Sequence, residues 1–233
     1  MIEEAPGPGL VIVAGGENTR LRPLADTVYK PFVAINGLSL VARHHMRAEN
    51  AGVSPTIVVT DVRDPMASHL AGESSGRMLH TVIPGSVRDK IVECAARFPT
   101  WRPLLVALGD TLARVDLRAL AGAPARLGTD SAVAAGRVRS RFGHLDLNGH
   151  LVTRFDEKPI GASVVNVGYM ALGARALQHL AEIGDLAACL EWLARERELG
   201  VSEIVDDFVC VDDLSDLARA HEVLHTHDEQ EQP

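Results

Sequence analysis

Apolar positions fall along this chain in short bursts separated by amphipathic stretches, and the two kinds of segment alternate. Leu10 to Ala14 is a continuous apolar run closed by Gly15 and Gly16, which suits a strand buried on both faces. Ser39 to Ala51 reads as a helix, with Ser39 placed to cap it and Gly52 just past its end. "TIVVT" (Thr56 to Thr60) predicts a second strand, "HTVI" ahead of Pro84 a third, and Ser86 to Phe98 another helix. "LLVALGD", Leu104 to Asp110, repeats the first strand's design, an apolar run that ends abruptly on Gly109 and an acid. The next part is richer in β pattern: "SAVAAGRV" and "VVNVGYMAL" read as strands. Between them, "HLDLNGHLVTRFDEKP" holds an Asn-Gly pair flanked by alternating apolar residues, a hairpin signal. Ala174 to Ile183, Leu186 to Arg197 and Asp216 to His225 read as helices, and "VDDFVCVDD" as a strand and its exit.

Strands alternating with helices imply βαβ units, so the expected class is α/β: a Rossmann-like mixed, mainly parallel sheet flanked by helices. No internal repeat and no linker rich in Pro and Gly divides the chain, and residues 1–233 are expected to form one domain with a disordered polar tail over 226–233. Ligands of such sheets sit beyond the carboxyl ends of the strands. Gly15 and Asp110 both fall on that edge.

Composition narrows the setting. An apolar share of 46% with 23% charged residues belongs to an ordinary folded protein. A net charge of -8 lacks the extended basic footprint that nucleic acid requires, so no nucleic-acid partner is expected and any anion site is local. No apolar run reaches the ~20 residues of a membrane span and the acidic start does not read as a secretory signal, so no membrane partner and a cytoplasmic location are expected. Cys94, Cys189 and Cys210 are far apart and in no CxxC pair, and read as core thiols.

The chemistry concentrates in "LVIVAGGENTRLRPLADTVYKP", Leu10 to Pro31. A Walker A loop needs a Gly-Lys pair before Ser or Thr, and a dinucleotide loop needs GxGxxG; neither is present. A third reading is physical. Glycines let backbone approach a ligand, bare amides form an anion nest, and Arg20, Arg22 and Lys30 supply cations for a polyphosphate. The plain alternative is a tight strand exit beside solvated arginines.

Further stretches support the third reading. "GGENTRLRPL" followed by "YKPFVAINGLSL" resembles the signature of the sugar-1-phosphate nucleotidylyltransferases, GGxGTRLxPLT and then PKP. "LVALGDTLARVDLRAL" is similar to that family's metal-binding segment, "FDEKP" to its FxEKP box, "VVNVGYMAL" to its NxG strand and "VDDLSDLARAHEVL" to its closing segment. The resemblance spans almost the whole chain in the family's order. Asn18 stands where the family has Gly, and Tyr29 replaces the first proline of PKP.

That resemblance implies the transfer of a nucleoside monophosphate from an NTP to a sugar-1-phosphate or a sugar-like cyclitol phosphate, with Mg²⁺ as cofactor and pyrophosphate released. It implies that Ala14, Gly15, Gly16, Gly85 and Asp110 bind the nucleotide, and that Arg20, Lys30 and Lys158 are catalytic. Glu157, Lys158, Asn166 and Gly168 would bind the sugar phosphate. Asp110 would hold the metal with Asp212, the adjacent Asp213 being the other candidate and helix capping the alternative for both. A homodimer is common in this architecture. Two further readings stay open: cytidylyl transfer to a non-sugar phosphate or phosphonate, and a non-catalytic regulator that binds nucleotide sugars.

Overall fold

A computed structural model describes residues 8–15, 30–61, 78–140 and 142–230 of the chain, with side chains of the last helix described as far as Leu224. Among the described residues the centre is a seven-stranded sheet. Its members are β1 (Leu10–Val13), β4 (Thr56–Thr60), β5 (Met78–Val82), β6 (Leu104–Leu108), β8 (Ser131–Arg139), β11 (Ile160–Leu172) and β12 (Leu199–Val205). They lie in the order β12-β8-β11-β6-β1-β4-β5. β1 pairs in parallel with both β4 and β6, β4 with β5, and β12 with β8. β11 alone runs antiparallel, to β6 and to β8. The mixed, mainly parallel sheet expected from the alternation is therefore present.

Helices cover both faces because the parallel strands are apolar on both. Alternate residues of β1 enter different cores: Leu10 and Ile12 pack with Leu105, Ala107, Leu117 and Leu120, whereas Val11 and Val13 pack with Ile91, Cys94, Val106 and Leu180. The first face carries α1 (Leu40–Asn50) and α3 (Leu117–Leu127). The second carries α2 (Val87–Arg97), α4 (Ala174–Ile183) and α5 (Leu186–Arg195). Ser39 caps α1 as its position suggests, its Oγ accepting from the Ala42 amide at 3.1 Å. α2 starts with a reciprocal Ser86 and Asp89 cap, a polar side chain satisfying the amides that a helix start leaves bare.

Three small sheets are also present among the described residues. β2 (Ala34–Ile35) and β3 (Leu38–Ser39) form a short ribbon before α1, and β9 (His144–Asn148) pairs with β10 (Leu151–Asp156) across the Asn-Gly turn. β7 (Thr111–Ala113) pairs antiparallel with β13 (Phe208–Cys210), which leads into α6 (Leu214–Gln230).

The sequence pattern had not marked α3 or β12. Helix α3 contains Pro124 and a run of small residues that blunts its periodicity, and β12 lies at the edge of the sheet, where its burial is only partial. The last helix also continues to Gln230, past His225 where the pattern ended it. Residues 231–233 lie outside the described residues.

Candidate active site

Every parallel strand of the central sheet delivers its carboxyl end to one edge, and β11 enters that edge from the opposite direction. Gly109 follows β6 and stays in the ladder, its amide donating to the Val13 carbonyl at 2.9 Å. A Cβ there would stand 3.0 Å from that carbonyl and 3.2 Å from the Pro31 ring, so the site needs glycine to let the Lys30–Phe32 turn pack against β6. This close approach places Lys30 beside Asp110, the next residue.

The second carboxylate comes from the far end of the chain. The β7–β13 ribbon sets Cys210 opposite Thr111, and the Val211 amide donates to the Asp110 carbonyl at 2.9 Å. Val211 is fully buried with Ile35, Leu40, Leu112 and Leu224, which anchors the ribbon and turns Asp212 towards the sheet edge. Lys30 Nζ donates to Asp212 Oδ1 at 2.5 Å and lies 3.8 Å from Asp110 Oδ2.

Asp213 does something different: its Oδ1 accepts from the amides of Ser215 and Asp216 at 2.8 and 3.0 Å, capping α6. Asp216 in turn accepts from the amides of Asp212 and Asp213. Asp213 therefore caps the helix, whereas Asp212 faces Lys30.

Burial pushes the Asp110 carboxyl above its ordinary pKa; the Lys30 ammonium opposes that shift and the Asp212 charge adds to it. Donor atoms of Asp110, Asp212 and Cys210 all lie within 4.8 Å of one another. Cys210 was expected in the core with Cys94 and Cys189, which are buried; it is exposed and stands beside the acids instead. Its apolar neighbours in "FVCV" alternate inward, which leaves the cysteine on the other side of a short ribbon, a register that composition does not reveal. Although the residue as a whole is exposed, burial of the thiol, with Asp110 and Asp212 adding, pushes it up to about 12.

A second cluster lies along the same edge. A Cβ on Gly15 would meet Asp61 Oδ2 at 2.4 Å, so backbone and carboxylate are in close contact there. Asp61 Oδ1 accepts from Lys90 Nζ at 2.6 Å, and Lys90 also donates to the Gly85 carbonyl at 2.5 Å. Lys90, nearly fully buried on α2, therefore ties the exit of β1, the exit of β4 and the Gly85 turn together. It sits in the polar run "SVRDK", where nothing in the pattern marks a lysine as buried. Gly85 itself has φ +108 and packs on Asp89. Ala14, between β1 and Gly15, is buried. Arg88 is committed elsewhere: it donates to the Leu180 and Ala181 carbonyls at the end of α4 and to Asp89.

Asn166 and Gly168 lie on β11, which runs antiparallel to β6. Asn166 Oδ1 accepts from the Gly168 amide at 2.9 Å. Gly168, at φ +81, holds Leu108 and Thr111 so closely that a Cβ would approach both within 3.2 Å. Asn166, Leu108, Ser86, Arg88 and the α4–α5 turn at Gly184 and Asp185 surround a cavity of about 470 Å³. Glu157 and Lys158 are not gathered with the others. They precede β11, more than half exposed, 3.9 Å apart as each other's partner, nine and eight residues along the chain from Asn166. Lys158 has φ +47, a turn conformation uncommon for a residue with a side chain. Gly16, Arg20, Asn18 and Tyr29 lie outside the described residues.

A carboxylate pair with a bridging lysine, set at the carboxyl edge of a mainly parallel sheet, is the arrangement of an α/β protein that handles charged ligands at its strand ends. A family model described as nucleotidyl transferase matches residues 10–186, and the chain belongs to that family. A search of curated proteins finds no match.

Among solved structures, one assigned as a glucose-1-phosphate thymidylyltransferase from Bacillus anthracis, in complex with a sucrose, superposes with a TM-score of 0.73 at 16% identity, covering 92% of this chain and 94% of that one. HddC from Yersinia pseudotuberculosis gives 0.69 at 19% identity, covering 93% and 99%. At these identities the likeness establishes the fold. Among the described residues no helix is long and apolar enough to cross a membrane.

Proposed function

We propose that the chain transfers a nucleoside monophosphate from an NTP to a sugar-1-phosphate or sugar-like cyclitol phosphate, forming a nucleotide sugar. The acceptor's phosphate oxygen attacks the α-phosphorus, and the bond from that phosphorus to the bridging oxygen breaks to release pyrophosphate. The observation that carries this reading is the convergence of Lys30, Asp110 and Asp212 at the sheet edge. Phosphoryl transfer depends on positioning and charge stabilisation more than on a protein nucleophile, and these are the parts present.

In this reading Gly15 and Gly85 let the nucleotide approach the backbone, and Lys90 and Asp61 fix that edge. Lys30 neutralises phosphate oxygens near the reacting centre. Two carboxylates from separate segments fit a hard cation, so Asp110 and Asp212 would hold Mg²⁺, which supplies further neutralisation of the phosphates. Asn166 and Gly168 border the acceptor. Glu157 and Lys158 are assigned to the acceptor, and Arg20 and Gly16 to the triphosphate, on the family resemblance of their motifs. The cytoplasm is the proposed location, and a homodimer is proposed with it, supported by the uncovered apolar side chains Leu145, Leu147, Val152 and Phe155 on the β9–β10 hairpin and tested by sedimentation.

The largely apolar cavity wall, with Val87, Leu108, Leu186 and Leu190, favours a second acceptor class, phosphates poor in hydroxyls. Pyrophosphate release with Mg²⁺, measured for each common NTP against sugar-1-phosphates and hydroxyl-poor phosphates, tests both. Release with one NTP and one acceptor supports transfer and names the pair. Tight nucleotide binding without release from any acceptor would overturn it in favour of a regulator.

A further inference from the structure

Cys210 gives the candidate metal centre a donor of a different chemical kind. Asp110 closes β6, Asp212 leaves β13, and the Cys210 sulfur lies 4.0 Å from Asp212 Oδ2 on the same side of the β7–β13 ribbon. The three donor atoms come from two strand ends, and all stand within 4.8 Å of one another, close enough for small side-chain rotations to bring them onto one ion. Asp110 is held by its place after Gly109 and by the Val211 amide, and Cys210 by its register with Thr111. Two hard oxygens alone suit magnesium, which leaves sulfur aside; two oxygens with a thiolate suit the softer divalent ions, zinc and cadmium among them.

We propose that Cys210 is a third metal ligand, so that this centre accepts a thiophilic divalent cation as well as a hard one. The proposal rests on the reading of Asp110 and Asp212 as metal ligands. Ligation exchanges the sulfur-bound proton for the metal: a metal–sulfur bond forms, the S–H bond breaks, and the proton passes to solvent with no change of oxidation state. Lys30, which bridges the two carboxylates, moves aside as the ion enters. Mg²⁺ and zinc-class ions therefore compete for one seat, and the position of a single cysteine decides which ion is held more tightly.

The test uses the full chain, without nucleotide, titrated with Cd²⁺ while the sulfur-to-metal charge-transfer absorption in the ultraviolet is followed. The expected result is a band that saturates at one ion per chain, is lost in Cys210→Ser, and needs at least tenfold more Cd²⁺ in Asp212→Asn. Cys94 and Cys189 remain in all three proteins, so the loss reports on Cys210 alone. A band that persists in Cys210→Ser, or no band in the wild-type protein, overturns the proposal. So does a band with unchanged affinity in Asp212→Asn, which would mean a thiol binding by itself. Pyrophosphate release by the wild-type protein with Mg²⁺ is measured in parallel: its absence counts against nucleotidyl transfer, whereas absence of the band counts against the role of Cys210.

Discussion

Lys30 holds the position between two carboxylates that an incoming cation needs, so its removal is expected to separate metal binding from turnover. Its ammonium stands 2.5 Å from Asp212 Oδ1 and 3.8 Å from Asp110 Oδ2. At an effective dielectric constant of about 20, a unit charge at such distances attracts each carboxylate by several kcal/mol before desolvation is counted. The Asp110 and Asp212 side chains are 33% and 43% exposed, so solvent screening and the ordering of a long side chain reduce the net worth to about 1–2 kcal/mol.

An ion binding to the free protein must overcome that interaction. In Lys30→Met, which keeps the chain's bulk and removes its charge, Mn²⁺ affinity without nucleotide is expected to rise about tenfold, the ratio that corresponds to ~1.4 kcal/mol. Pyrophosphate release should fall by roughly a hundredfold or more, because the phosphate oxygens lose a positioned cation. Electron paramagnetic resonance of unbound Mn²⁺ measures the first and a coupled phosphate assay the second. Mn²⁺ affinity that stays the same or weakens in Lys30→Met would refute the argument that the lysine and the metal share one seat.

Asp110→Asn should abolish Mg²⁺-dependent release and yet raise the melting temperature at neutral pH. The carboxyl is raised in the folded state, so the folded protein binds more protons than the unfolded one, and a penalty develops as pH rises through the ordinary carboxylate range near 3.8. A variant less stable than wild type at pH 7, with no gain from pH 3 to pH 7, would contradict that sign.

Gly168→Ala combines a positive φ of +81 with contacts of 3.1 and 3.2 Å to Leu108 and Thr111. Strain and crowding together are expected to cost about 2–4 kcal/mol, a loss of roughly 4–15 °C in melting temperature for a chain of this size. Calorimetry showing no shift would remove the case for that close contact. Tyr169→Phe deletes a buried hydroxyl that accepts from Arg47 at 2.9 Å and lies 2.7 Å from His44 Nδ1. Burial, with Arg47 adding, lowers His44 to about 3, so the ring is neutral. The expected loss is about 1–3 kcal/mol, read by urea unfolding, and an unchanged midpoint would show that the network carries no stability.

Much of this architecture was legible in the pattern because both of its periods were clear. The strand at Thr56–Thr60 and the helix at Ala174–Ile183 were bounded to the residue, since turn formers and caps flank them. β12 was not legible because an edge strand has only one neighbour to bury it, and α3 because small residues with a proline carry little periodic contrast. The exposed apolar face of β9 and β10 shows the same limit in reverse. Alternation in "HLDLN" correctly signals a strand but does not say what, if anything, covers its apolar side.

The candidate site divides in the same way. Gly109 and Asp110 could be singled out from local sequence because they close an apolar run, and strand ends are where a parallel sheet exposes its ligands; Lys30 stood out as an isolated cation before Pro31 and through the family resemblance. Family resemblance pointed to Asp212 or Asp213, but which of them faces Lys30 and which caps α6 needed coordinates, since adjacent acids have the same chemistry and opposite directions.

The sequence alone determined the alternation of strand and helix, the edge on which ligands gather and the charges available there, all of which follow from local periodicity and composition. Tertiary structure decided that Lys30 bridges Asp110 and Asp212, that Lys90 is buried against Asp61, and that Cys210 faces two carboxylates instead of the core. Those pairings join residues 182, 29 and 100 or so positions apart, and only the packing of the β7–β13 ribbon and α2 against the central sheet brings such distant side chains within bonding distance.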